Sequence, residues 1–281
     1  MAIGGLLHDV TTRSVLTGLR NPDELYHFLR SVRFRRSDPT GRARRLQDAF
    51  RERSCRSALA NLLGTSGREI QEYFDEFESD VKPHVESCRR VFDDKPFAIG
   101  GIEVEAPVLY AALRTARPES VVEIGVANGV SSYYALAALE RNENGGTLTS
   151  IDRPKYEDDH TGEWEDSAGA WIPTGRDVGW IVPAEYRHRW EMQLGNMNDL
   201  LPVELDDREV DAFVYDGPKR YSVRKRAFER VAAGVDGCLY FCDDIAWNVS
   251  FERFAMENAL RWDTYGNAGV AVGRESYATR R

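Results

Sequence analysis

Apolar residues recur along this chain with two different periods, and the change between them falls near Val104. Before it the spacing is helical. Asn21 followed by Pro22, Asp23 and Glu24 predicts a helix start: a side-chain cap, a proline in the first turn, then acids at the positive end of the dipole. Ser66 with Glu69 makes a capping box, after which Ile70, Tyr73, Phe74, Phe77 and Val81 share one face. That stripe reads as core or as a subunit contact, and an aromatic stripe left exposed would call for a partner. Residues 1–97 are therefore expected to form a helical N-terminal region that caps the rest or supports a homo-oligomer.

After Val104, short apolar runs alternate with helical patterns. Helices are predicted over Ala106–Thr115, Ser131–Leu139 and Ser222–Ala232. Strands are predicted over Ser120–Gly125, Thr147–Asp152, Trp190–Leu194, Val210–Asp216 and Cys238–Asp243, and the end TYGNAGVAVGR reads as a terminal strand behind turn glycines. Strands separated by helices imply parallel βαβ units, so the fold class is α/β, a doubly wound and mostly parallel sheet over 98–281. One stretch breaks the rhythm. Residues 155–183 hold Trp164, Trp171 and Trp180 among polar residues and glycines, too long for a plain connection and suited to a lid-like insertion. These tryptophans either stack on sugar rings or anchor the insertion, and His160 within it reads as a loop histidine rather than a catalytic one.

Composition narrows the partners. At 281 residues the chain can bury a sizeable core, and a net charge of −9 argues against a nucleic-acid partner, which needs clustered cations. The one strongly basic segment, 34–53, reads as a solvated helix face or a contact with an acidic neighbour. No run approaches the roughly 20 apolar residues of a membrane span, and the N-terminus lacks the basic flank of a signal peptide, so a cytoplasmic protein is expected. Cys55, Cys88, Cys238 and Cys242 form no CxxC pair and read as free structural thiols.

The chemistry concentrates at predicted strand ends. Glu123-Ile124-Gly125-Val126-Ala127-Asn128-Gly129 stands at a strand-to-helix turn, where glycines permit a tight turn and close approach of a ligand. The next strand ends on Asp152, placed to accept ribose hydroxyls. The pattern is ExGxxxG rather than GxGxxG and no cation stands in the turn, which favours a nucleoside without phosphates. Two further strand ends carry Asp216, followed by Gly217-Pro218-Lys219-Arg220-Tyr221, and the pair Asp243-Asp244. Three carboxylates projecting into one crevice suit Mg²⁺, a hard cation that takes oxygen ligands.

These residues resemble class I S-adenosylmethionine-dependent methyltransferases from about Ala106 to Arg274. The resemblance implies a Rossmann-like sheet with an antiparallel terminal strand. It places Glu123, Gly125 and Gly129 at the methionine end of the cofactor and Asp152 on its ribose. Asn196, after the Trp190–Leu194 strand, would stand at the adenine, where the family more often has Asp. Val126, Ser131 and Asp216 are counted with the same cofactor-facing set. The acids resemble those of metal-dependent O-methyltransferases of the catechol and macrolide-sugar types, in which the matching positions bind Mg²⁺; this implies Asp216, Asp243 and Asp244 as metal ligands. Lys219 stands where the catechol enzyme has its base, while Asp244 replaces an Asn and agrees better with the sugar enzymes. The runs GWIVPAEYRHRWE, GNMNDLLP and DDIAWN are similar to a bacterial and archaeal group associated with sugar modification.

The expected activity is therefore Mg²⁺-dependent O-methylation of a vicinal diol, on a small-molecule or glycan acceptor. As the base, Lys219 would have to be neutral, with a cation and Arg220 lowering its pKa. Trp247 and Asn248 would shape the acceptor pocket, and Tyr221 would pack beneath the loop. The alternatives are a metal-independent N- or C-methyltransferase and a non-catalytic S-adenosylmethionine-binding subunit.

Overall fold

A computed structural model describes residues 55–90, 105–156, 171–207, 209–235 and 237–273. The helix start at Asn21, the basic segment 34–53, Trp164 and His160 lie outside the described residues.

After a helical stretch at 55–63, α1 (Gly67–Glu76) begins where the sequence predicts it: the Ser66 hydroxyl accepts from the Glu69 N–H at 3.1 Å. The Glu69 carboxylate also accepts from the hydroxyls of Thr65 and Tyr73. A π-helical turn, Phe77–Val81, then leads into α2 (Lys82–Arg90). Pro83 has no N–H for the carbonyl of Ser79, and the ladder widens just before it. Ile70, Phe74, Phe77 and Val81 are buried against α3 (Ala106–Ala116), and Tyr73 packs at the margin. The stripe is thus satisfied within the chain, and the subunit contact expected of an exposed stripe does not arise from it.

The sheet follows. Its strands are β1 (Ser120–Ile124), β2 (Thr147–Asp152), β3 (Trp190–Leu194), β4 (Ala212–Tyr215), β5 (Leu239–Cys242), β6 (Arg261–Tyr265) and β7 (Ala268–Val272). They lie in the order β3-β2-β1-β4-β5-β7-β6, all parallel except β7, which runs antiparallel to both neighbours. The sheet is the expected Rossmann-like one with an antiparallel terminal strand. The hairpin partner β6 was not foreseen, because RWDTY is half polar and lies at the sheet edge.

Four helices complete the layers: α4 (Val130–Asn142), α5 (Met197–Asp207), α6 (Tyr221–Gly234) and α7 (Ser250–Glu257). The central strands are buried on both faces, between one apolar cluster containing α1, α3 and α4 and another containing α6 and α7. Helix α4 is buried on nearly every side, which is why VSSYYALAAL shows little amphipathic contrast. Helix α5 and helix α7 were not predicted. In α5 the interior Pro202 cannot donate to the Asn198 carbonyl, and Arg230 of α6 supplies that donor at 3.1 Å.

Strand order reverses between β1, which leads outward through β2 to β3, and β4, which leads the other way to β5. A crevice opens at the carboxyl ends of strands at such a switch point. Among the described residues, no helix is long and apolar enough to cross a membrane.

Candidate functional site

The turn 125–129 occupies that switch point. Gly125 has φ +93° and Gly129 φ +91°, and Ala127 between them is also left-handed at φ +47°. Gly125 is held by the Ile151 carbonyl at 3.0 Å, and Asp216 by the Ile124 carbonyl at 2.8 Å. The two backbones come so close that a Cβ on Gly125 would sit 2.3 Å from the Asp216 carbonyl oxygen. Asp152 reaches the turn from β2, its Oδ2 accepting from the Ala127 N–H at 2.8 Å. Burial raises the Asp152 carboxyl, against the lowering effect of the backbone N–H groups around it.

Glu123 lies beneath the turn, fully buried. One oxygen accepts from the Ser131 hydroxyl and the other from those of Ser132 and Ser150, each at 2.6 Å. Ser150 in turn accepts from the Trp190 indole at 2.9 Å. Burial pushes the carboxyl up to about 7, although all three hydroxyls oppose this. Both Glu123 and Ser131 therefore support the turn from below. Asn196 is exposed, and its Oδ1 caps the start of α5 by accepting from the Asn198 N–H at 2.9 Å. Val126 joins Ile172 and Val178 in a small apolar cluster above the turn.

The second half of the crevice gathers the acids. Asp216 follows β4, and Asp243 follows β5, with the Asp243 N–H on the Tyr215 carbonyl at 2.9 Å. One carboxylate oxygen from each of Asp216, Asp243 and Asp244 lies within 4.8 Å of the others. Asp244 is left-handed, φ +56°, and is gripped from several sides. The Asn267 amide donates to its Oδ1 at 2.6 Å, Arg224 donates to its carbonyl at 3.0 Å, and Lys219 Nζ stands 3.0 Å from its Oδ2.

Lys219 also meets Asp216 at 2.5 Å. Burial would lower the lysine, but Asp216 and Asp244 outweigh it and raise the pKa above the ordinary lysine range. The lowering expected of Lys219 belongs to a site that holds a divalent cation; among the protein's own charges the direction is upward. Arg220 is exposed, and the cation that presses on Lys219 is Arg224, wholly buried one turn further on. Asp243 is raised by burial and by the charges of Asp216 and Asp244. For Asp244, burial pulls the other way, yet Lys219, Arg224 and Asn267 together hold it below its usual value.

Asn248 departs from expectation as well. Its Nδ2 donates to the Lys219 carbonyl at 2.6 Å and its Oδ1 accepts from the Ser250 N–H at 3.0 Å, so it braces the Lys219 loop rather than facing an acceptor. Tyr221 is buried at the start of α6, with the Arg253 guanidinium donating to its hydroxyl at 2.7 Å. Of the insertion's tryptophans, the two within the described residues are Trp171, which is buried, and Trp180, which donates its indole N–H to Asn128, so both anchor the segment. Cys238 and Cys242 are free and buried, as expected.

Sequence reasoning missed Arg224, Asn267 and Asn128. Arg224 looks like any cation of a basic helix face, and Asn267 like a turn residue; neither carries a local signal. Asn267 is the more easily tested. Replacing it by Ala is expected to lower stability by about 1–3 kcal/mol in urea unfolding, because it removes a hydrogen bond to a carboxylate. A variant as stable as the parent would show that the hairpin does not hold Asp244.

Residues 122–245, which run from β1 through the switch-point turn to the acids after β5, match the family model described as a methyltransferase domain. Similar solved structures include an O-methyltransferase from Bacillus cereus in complex with S-adenosylhomocysteine (13% identity, 79% of this chain and 97% of that one, TM-score 0.46). Another is TomG from Streptomyces achromogenes, an O-methyltransferase of tomaymycin synthesis in complex with S-adenosylmethionine (16%, 78% and 96%, TM-score 0.45). A third is the S-adenosylhomocysteine-bound methyltransferase PaMTH1 of Podospora anserina (11%, 68% and 86%, TM-score 0.46). No curated protein matches the chain.

Proposed function

We propose that this enzyme is an O-methyltransferase that holds a divalent cation, Mg²⁺ by its chemistry, on Asp216, Asp243 and Asp244 and methylates a hydroxyl of a vicinal diol, on a small molecule or a glycan. The observation that carries this reading is the convergence of the three acids, whose oxygens lie within 4.8 Å, beside the turn 125–129. Oxygens around Mg²⁺ stand about 3–4 Å apart, so an all-carboxylate set of this size fits a hard cation.

In this reading the turn 125–129 and Asp152 hold S-adenosylmethionine, with Asn196 at the adenine end. Methyl transfer forms an oxygen–carbon bond as the carbon–sulfur bond breaks, and the sulfonium becomes a neutral thioether. The protein's task is to align the acceptor oxygen with that bond and to remove its proton. A bound divalent cation would supply Lewis acidity to the acceptor hydroxyls. Lys219 is the proposed proton acceptor; it can serve only when Asp216 and Asp244 no longer hold its own proton.

Titration of Mn²⁺ followed by electron paramagnetic resonance tests the metal part without requiring an acceptor. We expect one bound ion in the parent and at least a tenfold loss of affinity in Asp216→Asn, since a charged ligand is removed. Equal binding by both would remove the metal from this reading. One observation favours a metal-independent version: Lys219 and Arg224 already lie among the acids and offset much of their charge. The absence of any tight Mn²⁺ site would select that version, with nitrogen or carbon as the acceptor atom.

A further inference from the structure

The turn 125–129 does not stand alone against solvent; a segment of the insertion is fastened onto it. Asn128, at its centre, is fully buried, and both ends of its carboxamide are used. Nδ2 donates to the Trp171 carbonyl at 3.1 Å, and Oδ1 accepts from the Trp180 indole at 2.8 Å. Two backbone bonds run alongside, from the Gly179 N–H to the Ala127 carbonyl at 2.9 Å and from the Ile181 N–H to the Asn128 carbonyl at 3.1 Å.

The approach is close enough to be selective for glycine. A Cβ on Gly129 would lie 2.7 Å from the Gly179 Cα, and one on Gly179 would enter the Trp190 ring at 2.1 Å. Val126 packs on Ile172 and Val178, and the Arg176 guanidinium lies over the Trp180 ring at 4.9 Å. At the far end, His84 Nε2 meets the Ile181 carbonyl at 2.8 Å. The carboxamide donates in one direction and accepts in the other; neither a carboxylate nor an aliphatic group of similar size can do both.

We propose that Asn128 is a positioning residue that makes segment 171–182 part of the cofactor site, so that occupancy of the turn sets the place of this aromatic segment on the acceptor side. The inference rests on the reading of 125–129 as the S-adenosylmethionine turn. The turn has three left-handed residues and is anchored on β2 through Asp152. A ligand that settles the turn therefore settles the partners of Asn128 as well, and by linkage the segment's order feeds back on cofactor affinity.

The test is amide hydrogen exchange of the full chain with and without S-adenosylhomocysteine, beside calorimetric titration of the same ligand. In the parent, saturating ligand is expected to slow exchange at Gly179 and Ile181 by about tenfold or more. In Asn128→Ala the ligand should still bind, about tenfold more weakly, while the ratio of exchange with and without ligand falls toward one. A merely structural role would speed exchange equally in both states and leave that ratio unchanged, which would overturn the proposal.

Trp180→Phe removes the indole donor with its five-membered ring and keeps an aromatic ring. It should lower the ratio by a smaller factor, and it decides the matter alone if Asn128→Ala does not fold: an unchanged ratio there overturns the coupling. Failure of the parent to bind S-adenosylhomocysteine at all is a separate result. It would remove the cofactor reading, and the inference with it.

Discussion

Gly125→Ala is expected to lose measurable S-adenosylhomocysteine binding and to lower stability by about 3 kcal/mol or more, two costs of roughly 1–3 kcal/mol each acting together. The first is conformational, because φ +93° is a backbone state an L side chain avoids. The second is steric. The new Cβ would lie 2.3 Å from the Asp216 carbonyl oxygen, which is backbone and cannot rotate away. Relief would require β1 and β4 to part at the switch point, where the proposed cofactor turn and the first acid both begin. Gly175→Ala is the control: φ is +76° but nothing lies within 4 Å, so only the conformational cost should appear. Thermal unfolding and calorimetric titration of both variants check this, and equal effects of the two would refute the steric argument.

Glu123→Gln should change how stability depends on pH. Burial pushes the Glu123 carboxyl from its ordinary 4.5 up to about 7 in the folded protein. Between those values the native state binds more protons than the unfolded one, so stability falls as pH rises through this window. Glu123 therefore favours the folded state most below about pH 4.5, and that contribution is lost by the time the pH passes about 7. A shift of this size corresponds to roughly 3 kcal/mol across the window. Asp152 and Asp243 are also raised and titrate in both proteins, so the difference between the two curves isolates Glu123. Denaturant unfolding from pH 4.5 to 8 should show a steeper decline in the parent than in Glu123→Gln. Parallel curves would mean that the three serine hydroxyls hold the carboxylate ionised throughout.

Glu123 also shows how a motif can be read correctly in kind and incompletely in role. Its place at the end of β1 was evident from ExGxxxG, because a strand-to-helix turn needs glycine at fixed offsets. That its oxygens are filled by Ser131, Ser132 and Ser150 was not, since Ser150 lies 27 residues away on the neighbouring strand. Lys219 is a second case. Its position three residues after Asp216 was legible, but the charges around it were not, because Asp244 and Arg224 reach it from the end of β5 and from α6.

Local chemistry by itself determined the doubly wound fold class, the capped start of α1, strands β2 and β3 to the residue, the glycine turn and the acids at the ends of β4 and β5. These follow from apolar period, capping and turn propensity, which act between residues a few positions apart. Only the tertiary structure decided that the stripe at 70–81 is buried against α3, that Asn128 fastens 171–182, and that Asn267 grips Asp244. It also decided which charges surround Lys219: Asp216 and Asp244 on one side and Arg224 on the other. Those outcomes are set by Coulomb and desolvation terms and by hydrogen bonds between residues distant in sequence, and no local pattern encodes which of them meet.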